Sequence, residues 1–83
     1  MYSFVLSTSA QKQLKTLPYL VQELIISCFD EISEDPLLGK ELTKELTGTR
    51  SFKVGNYRIV YKVNIQKKVI TVLRIGQRAK VYK

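Results

Sequence analysis

The sequence predicts an α+β domain in the order β-α-α-β-β-β, with two antiparallel helices packed on one face of a small, mainly antiparallel four-stranded sheet. Three observations carry this. Residues 2–6 and three segments after position 50 alternate at the period of a strand. Residues 20–32 repeat apolar side chains at the period of a helix. A chain of 83 residues also has room for one core only, so positions 1–83 read as one domain.

Taken in order, Tyr2, Phe4 and Leu6 fall on one side of the first strand and Ser3 and Val5 on the other. Thr8 is placed to cap the first helix, with Gln11 three residues on completing a capping box. Ala10, Leu14 and Leu17 share one stripe of that helix, and Pro18 closes it. In the second helix Leu20, Val21, Leu24, Ile25, Cys28, Phe29 and Ile32 form a broad apolar face, and Asp35-Pro36 breaks it. Cys28 lies on that face, which makes it a core residue rather than a nucleophile. Residues 37–49 read as a connector, with a short helical turn near 40–46.

Three strands follow. Residues 50–54 set Phe52 and Val54 opposite Ser51 and Lys53, and Gly55-Asn56 signals a tight turn. Residues 57–63 put Tyr57, Ile59, Tyr61 and Val63 on one face and Arg58, Val60 and Lys62 on the other. Residues 68–75 continue the alternation, with Val69, Thr71, Leu73 and Ile75 opposite Ile70, Val72 and Arg74. The aromatic and aliphatic face of the middle strand belongs against the second helix, leaving the face of Arg58 and Lys62 open.

Charge is divided along the chain. All seven acids lie between positions 23 and 45, where with four lysines residues 1–45 carry a net −3. Residues 46–83 carry ten bases and no acid. A half-chain charged this way repels itself, which points to a polyanionic partner, RNA foremost, rather than to a generic solubilising surface. There is one cysteine and no stretch long and apolar enough to span a bilayer, so a cytoplasmic protein without disulfides or membrane association is expected.

Several chemistries are excluded by residue type. With no histidine, neither a His-based ribonuclease pair nor a Ser-His-Asp or Cys-His arrangement can form, and a zinc site lacks ligands. No glycine-rich phosphate loop is present, and no metal or other cofactor is expected. Lysine, arginine and tyrosine remain, and these can still cleave RNA, whose 2′-hydroxyl is an internal nucleophile. Lys53, Arg58 and Arg78 form a candidate catalytic group if neighbouring strands bring them together, and Tyr82 is placed to stack on a base or bond to ribose. Arg50, Ser51, Lys62, Arg74, Gln77 and Lys80 are candidate RNA contacts, whereas Lys67, Lys68 and Lys83 read as steering charge. Each of these residues, taken singly, also has an ordinary reading as a solvated side chain.

The run 52–61, Phe-Lys-Val-Gly-Asn-Tyr-Arg-Ile-Val-Tyr, followed by Val72-Leu-Arg-Ile-Gly-Gln-Arg78 and ending Val81-Tyr82, resembles the RelE/ParE toxin superfamily. The likeness covers nearly the whole chain and implies a RelE-like, microbial ribonuclease-type fold. On the RelE branch it implies a type II toxin that cuts mRNA in the ribosomal A site and is neutralised by an acid-rich, RelB-like antitoxin. By position, Lys53 then resembles the strand lysine that serves as base or charge stabiliser, Arg58 and Arg78 the phosphate-gripping arginines, and Tyr82 the C-terminal tyrosine. Two departures stand out: Ser51 where some relatives have a second base, and Gln77 where many have histidine. The ParE branch, which poisons DNA gyrase, and a binding member without cleavage are the alternatives.

Overall fold

The computed structural model describes residues 2–42 and 48–77. Its elements are β1 (Ser3–Leu6), α1 (Thr8–Thr16), α2 (Tyr19–Glu34), β2 (Lys40–Glu41), β3 (Arg50–Val54), β4 (Tyr57–Asn64) and β5 (Val69–Gln77). The sheet has five strands rather than four, in the order β1-β5-β4-β3-β2. The β1–β5 pair is parallel and the other three are antiparallel.

Both helices contribute to one core on one face of the sheet. Ala10 of α1 and Ile25, Cys28 and Ile32 of α2 meet Val54, Ile59, Tyr61, Ile70, Val72 and Ile75. Each fully buried aliphatic side chain of this set stabilises the fold by about 1.5–3 kcal/mol. Leu14, Leu17, Val21 and Phe29 pack at its margin, and Phe4 of β1 stacks on Phe29 at 4.8 Å. The apolar face of α2 is narrower than its sequence suggests. Leu20 and Leu24 are 76% and 50% exposed, because the sheet covers only the Val21–Ile25–Cys28–Ile32 stripe.

The start of α1 is displaced by one residue from its expected cap. Ser7, not Thr8, accepts from the Ala10 N–H at 3.0 Å. The same hydroxyl donates to the Leu73 carbonyl at 2.8 Å, while the Ser7 N–H donates to the Val72 carbonyl. One residue therefore caps the helix and docks it on β5, a second task that Thr8, inside the helix, does not perform.

The strict alternation expected of β5 is broken. Val60 pairs with Arg74 but Tyr61 pairs with Val72, so Leu73 is an extra residue, a β-bulge. Beyond it the phase reverses: Ile75 joins Ile70 and Val72 in the core, and Arg74 moves to the opposite face. Side chains of α1 complete the backbone here, with Ser7 on the Leu73 carbonyl and the Gln13 side-chain oxygen accepting from the Ile75 N–H at 2.7 Å. These long-range bonds, invisible to local pattern, explain why the alternation fails.

The connector also differs from expectation. Residues 40–41 form a strand, Lys40 opposite Ser51 and Glu41 opposite Arg50, rather than part of a helical turn; 43–47 lie outside the described residues. Two core-side residues hold the connector against the sheet. The Tyr61 hydroxyl accepts from the Gly39 N–H and donates to the Pro36 carbonyl, both at 2.9 Å. Arg50 donates to the Gly39 and Leu37 carbonyls at 2.8 and 3.3 Å. A Cβ on Gly39 would lie 2.6 Å from the Tyr61 oxygen, so only glycine fits.

The outer edge of β1 is partly occupied. Ser3 and Ser7 face β5, so Tyr2, Phe4 and Leu6 direct their backbone groups outward. The Ser33 hydroxyl bonds both the N–H and the carbonyl of Tyr2, and the Gln11 amide donates to the Leu6 carbonyl.

Removing the Tyr61 hydroxyl should leave two connector groups, the buried Gly39 N–H and the part-buried Pro36 carbonyl, short of a partner. We expect Tyr61→Phe to lower the unfolding free energy by roughly 1–3 kcal/mol, read as a lower urea midpoint at unchanged slope. Burial also pushes the Tyr61 phenol above its ordinary 10.0. Because the folded value lies above the unfolded one, stability is intact below about pH 10 and falls as pH rises beyond it. Tyr61→Phe should abolish that part of the alkaline loss; an unchanged pH profile would count against it.

Candidate nucleic-acid interface

The two-residue turn at Gly55-Asn56, with Gly55 at φ +57°, sets the β3–β4 register. That register puts Lys53 directly opposite Arg58 and Ser51 opposite Val60, all four on the face away from the helices. Paired residues on neighbouring strands have Cα atoms about 4.5–5.5 Å apart. Like charges so placed destabilise a sheet. A sequence that keeps both cations at this rung gains nothing in stability from doing so, which makes the rung a candidate site.

Arg58 is half-buried, and its Nη1 donates to the Ser51 Oγ at 3.3 Å. Its side chain therefore leans along the sheet toward the Ser51–Val60 rung instead of standing free. Ser51 and Val60 are only 4% and 1% exposed, so this part of the face is a packed floor carrying cations. Gly76 stands opposite Arg58 on β5 and adds no side chain beside the guanidinium. The next rung reads Lys40, Ser51, Val60 and Arg74 across four strands, and the one after it brings Lys62 opposite Thr71.

The structure thus brings Lys53, Arg58, Ser51, Arg74 and Lys62 onto one face. Arg50 does not join them. It was expected among the RNA contacts, but its register partner is the buried Tyr61, and its guanidinium is occupied by the connector and lies 3.9 Å from Glu41. Gln77, paired with Tyr57, falls on the helical side by register. Arg78, Lys80 and Tyr82 lie outside the described residues. Lys40 escaped sequence reasoning because β2 has no local pattern of its own; its one signal was a cation just before the acidic cluster ends. Among the described residues no group of three or more His, Cys, Asp or Glu side chains gathers to hold a metal.

Such an arrangement can grip an anion through a guanidinium fork and place an ammonium beside it. No acid shares the face within the described strands β3, β4 and β5.

Comparison with known proteins gives a consistent result. Residues 4–82 match the family described as the ParE toxin of the type II toxin–antitoxin system, parDE. The chain is 32% identical to Toxin RelG of Mycobacterium tuberculosis over 84 residues, covering 99% of this chain and 97% of that protein. Its fold superposes on the toxin–antitoxin complex RelBE2 of the same organism with a TM-score of 0.86 at 32% identity, covering 93% of this chain and 98% of that one. The isolated RelE toxin of E. coli gives a TM-score of 0.80 at 26% identity, with 99% and 92% covered.

Replacing Lys53 by glutamine relieves the like-charge pair. The variant should be more stable than the native protein by about 0.2–1 kcal/mol while binding heparin more weakly, with a salt slope reduced by about one. A loss of stability in urea would overturn the reading of this rung as a functional strain.

Proposed function

The chain belongs to the RelE/ParE toxin superfamily and is a toxin of the type II toxin–antitoxin class, and from that premise we propose that it is a metal-independent endoribonuclease that cuts mRNA in the ribosomal A site. The observation that carries this reading is the Lys53–Arg58 rung, two cations held in register on the face opposite the helices, with Ser51 beneath the guanidinium. In this mechanism the 2′-hydroxyl attacks the adjacent phosphorus and the bond to the 5′-oxygen breaks. The products are a 2′,3′-cyclic phosphate and a free 5′-hydroxyl, and no metal or cofactor is needed to balance the step.

Arg58 binds the non-bridging oxygens as their charge grows in the phosphorane, and Ser51 keeps its fork from wandering. Lys53 takes the 2′-hydroxyl proton or stabilises the charge beside it. Arg78 is assigned to the same phosphate from the family resemblance and Tyr82 to a base or the ribose from its residue type, while the departing 5′-oxygen takes its proton from water. With no histidine available, substrate orientation by the ribosome supplies much of the rate, so action belongs in the cytoplasm, on translating ribosomes. An acid-rich, RelB-like antitoxin would neutralise the toxin by covering the basic face.

The matching family description names a ParE toxin, which favours gyrase as the second reading. That reading predicts blocked supercoiling without mRNA fragments. The decisive comparison uses translating ribosomes incubated with the native protein and with Arg58→Ala. The native protein should release A-site fragments, and the variant should do so on the order of 10²–10³-fold more slowly. Equal cleavage by the two would remove Arg58 from the mechanism, and a native protein that releases none while arresting gyrase would move the chain to the second reading.

A further inference from the structure

The face that carries Lys53 and Arg58 does not end with them. At the far end of β4, where the chain turns into β5, lies an open cavity of about 510 Å³ lined by Lys62, Asn64, Ile65, Lys67, Val69 and Thr71, together with the neighbouring Val63 and Gln66. Lys62 and Asn64 are on the same face as Arg58, four and six residues further along one strand. Thr71 and Val69 face them from β5, and Val5 and Ser3 continue the floor onto β1.

We propose that this cavity is a distal nucleotide subsite, receiving a base of the same single-stranded RNA about three nucleotides from the phosphate gripped by Arg58. The proposal rests on the endoribonuclease reading above and adds a path for the flanking strand. Its first support is spacing. Alternate residues of a strand repeat every 6.6–6.8 Å or so on one face, roughly twice the 3.4 Å axial rise of a duplex strand and close to the phosphate repeat of an extended single strand. Arg58 and Lys62 of β4 stand two such repeats apart, and Arg74 marks the rung between them from β5. From Arg58 to Asn64 the strand covers about 20 Å.

The second support is the chemistry of the lining. Two ammonium groups stand at a rim that has no acid, Thr71 and Asn64 offer hydrogen-bonding edges, and Ile65 and Val69 form an apolar wall. Ile65 is 66% exposed, a large aliphatic side chain left in solvent at a hairpin where a polar residue would do. Asn64 is held in place by accepting from the Lys67 N–H at 3.0 Å. Lys68, at the entry to β5, adopts φ +55°, a conformation that glycine takes without strain, yet a cation occupies it. An acidic protein segment would also suit the two lysines, and the antitoxin-peptide arm of the test below detects that outcome.

The test is fluorescence anisotropy of the full chain with RNAs of two and six nucleotides, each carrying one 2′-deoxy substitution at the scissile position to block cleavage. Extension at one end should tighten binding at least tenfold. Lys62→Ala/Lys67→Ala should weaken the hexamer about tenfold and the dinucleotide less than twofold, and Ile65→Ala, with no charge change, should weaken only the hexamer, about threefold. Lys12→Ala/Lys15→Ala on α1 is the charge-matched control and should leave both within twofold. Equal weakening of both RNAs by the Lys62/Lys67 variant would mean general steering and overturn the subsite. So would a variant that binds RNA normally but loses an acid-rich antitoxin peptide. Loss confined to the hexamer supports the subsite even if Arg58→Ala leaves both RNAs unaffected, an outcome that would fault the catalytic reading alone.

Discussion

One extra residue in β5 decides which side chains face the helices and which face the opposite side. With Leu73 bulged, Ile75 enters the core and Arg74 turns to the basic face. Without it, strict alternation would bring Arg74 under the helices beside Ile70 and Val72 and expel Ile75. Burying an unpaired guanidinium costs several kcal/mol, and removing a core isoleucine costs a few more. The bulge disrupts the ladder locally, and α1 compensates through Ser7 and Gln13, which hold the Leu73 carbonyl and the Ile75 N–H. Helix position, core closure and the charge pattern of the sheet are thus coupled through two side chains.

The middle strand extends this division across the sheet. Tyr61 and Arg50, register partners on the helical side, hold the connector from Pro36 to Gly39 and so deliver Lys40 to the sheet edge. One arginine therefore stabilises the scaffold while its neighbours on the other face repel one another. Strand parity separates the two roles within a few residues of sequence. A one-residue slip would exchange them, so the register fixes the charge pattern of the face as firmly as it fixes the packing.

Much of this was legible in the sequence. The Gly55-Asn56 turn alone implies Val54 opposite Tyr57 and Lys53 opposite Arg58, because a two-residue loop leaves no other register. The buried role of Cys28 followed from its helical spacing. What could not be read was set by distant partners. The bulge depends on side chains more than sixty residues away, and the edge strand at Lys40 depends on Tyr61 and Arg50. Leu20 and Leu24 look like core at helical period, yet the sheet is too narrow to cover them. Arg50 counted as one more cation because charge composition carries no information about face.

The occupied margin of β1 bears on how copies of this protein can associate. Ser33 at one end engages both outward groups of Tyr2 and Gln11 at the other engages the Leu6 carbonyl, which leaves the two groups of Phe4 and the Leu6 N–H at that margin among the described residues. An endless ribbon of stacked sheets needs two available margins on every copy, since each must accept one neighbour and offer itself to another. A margin engaged at both ends leaves an incoming strand only a short run of backbone groups to pair with, which disfavours growth from that side. Two side chains, a hydroxyl and a carboxamide, thus narrow the border at which a chain rich in β-branched residues could add another copy, without any need for charge there.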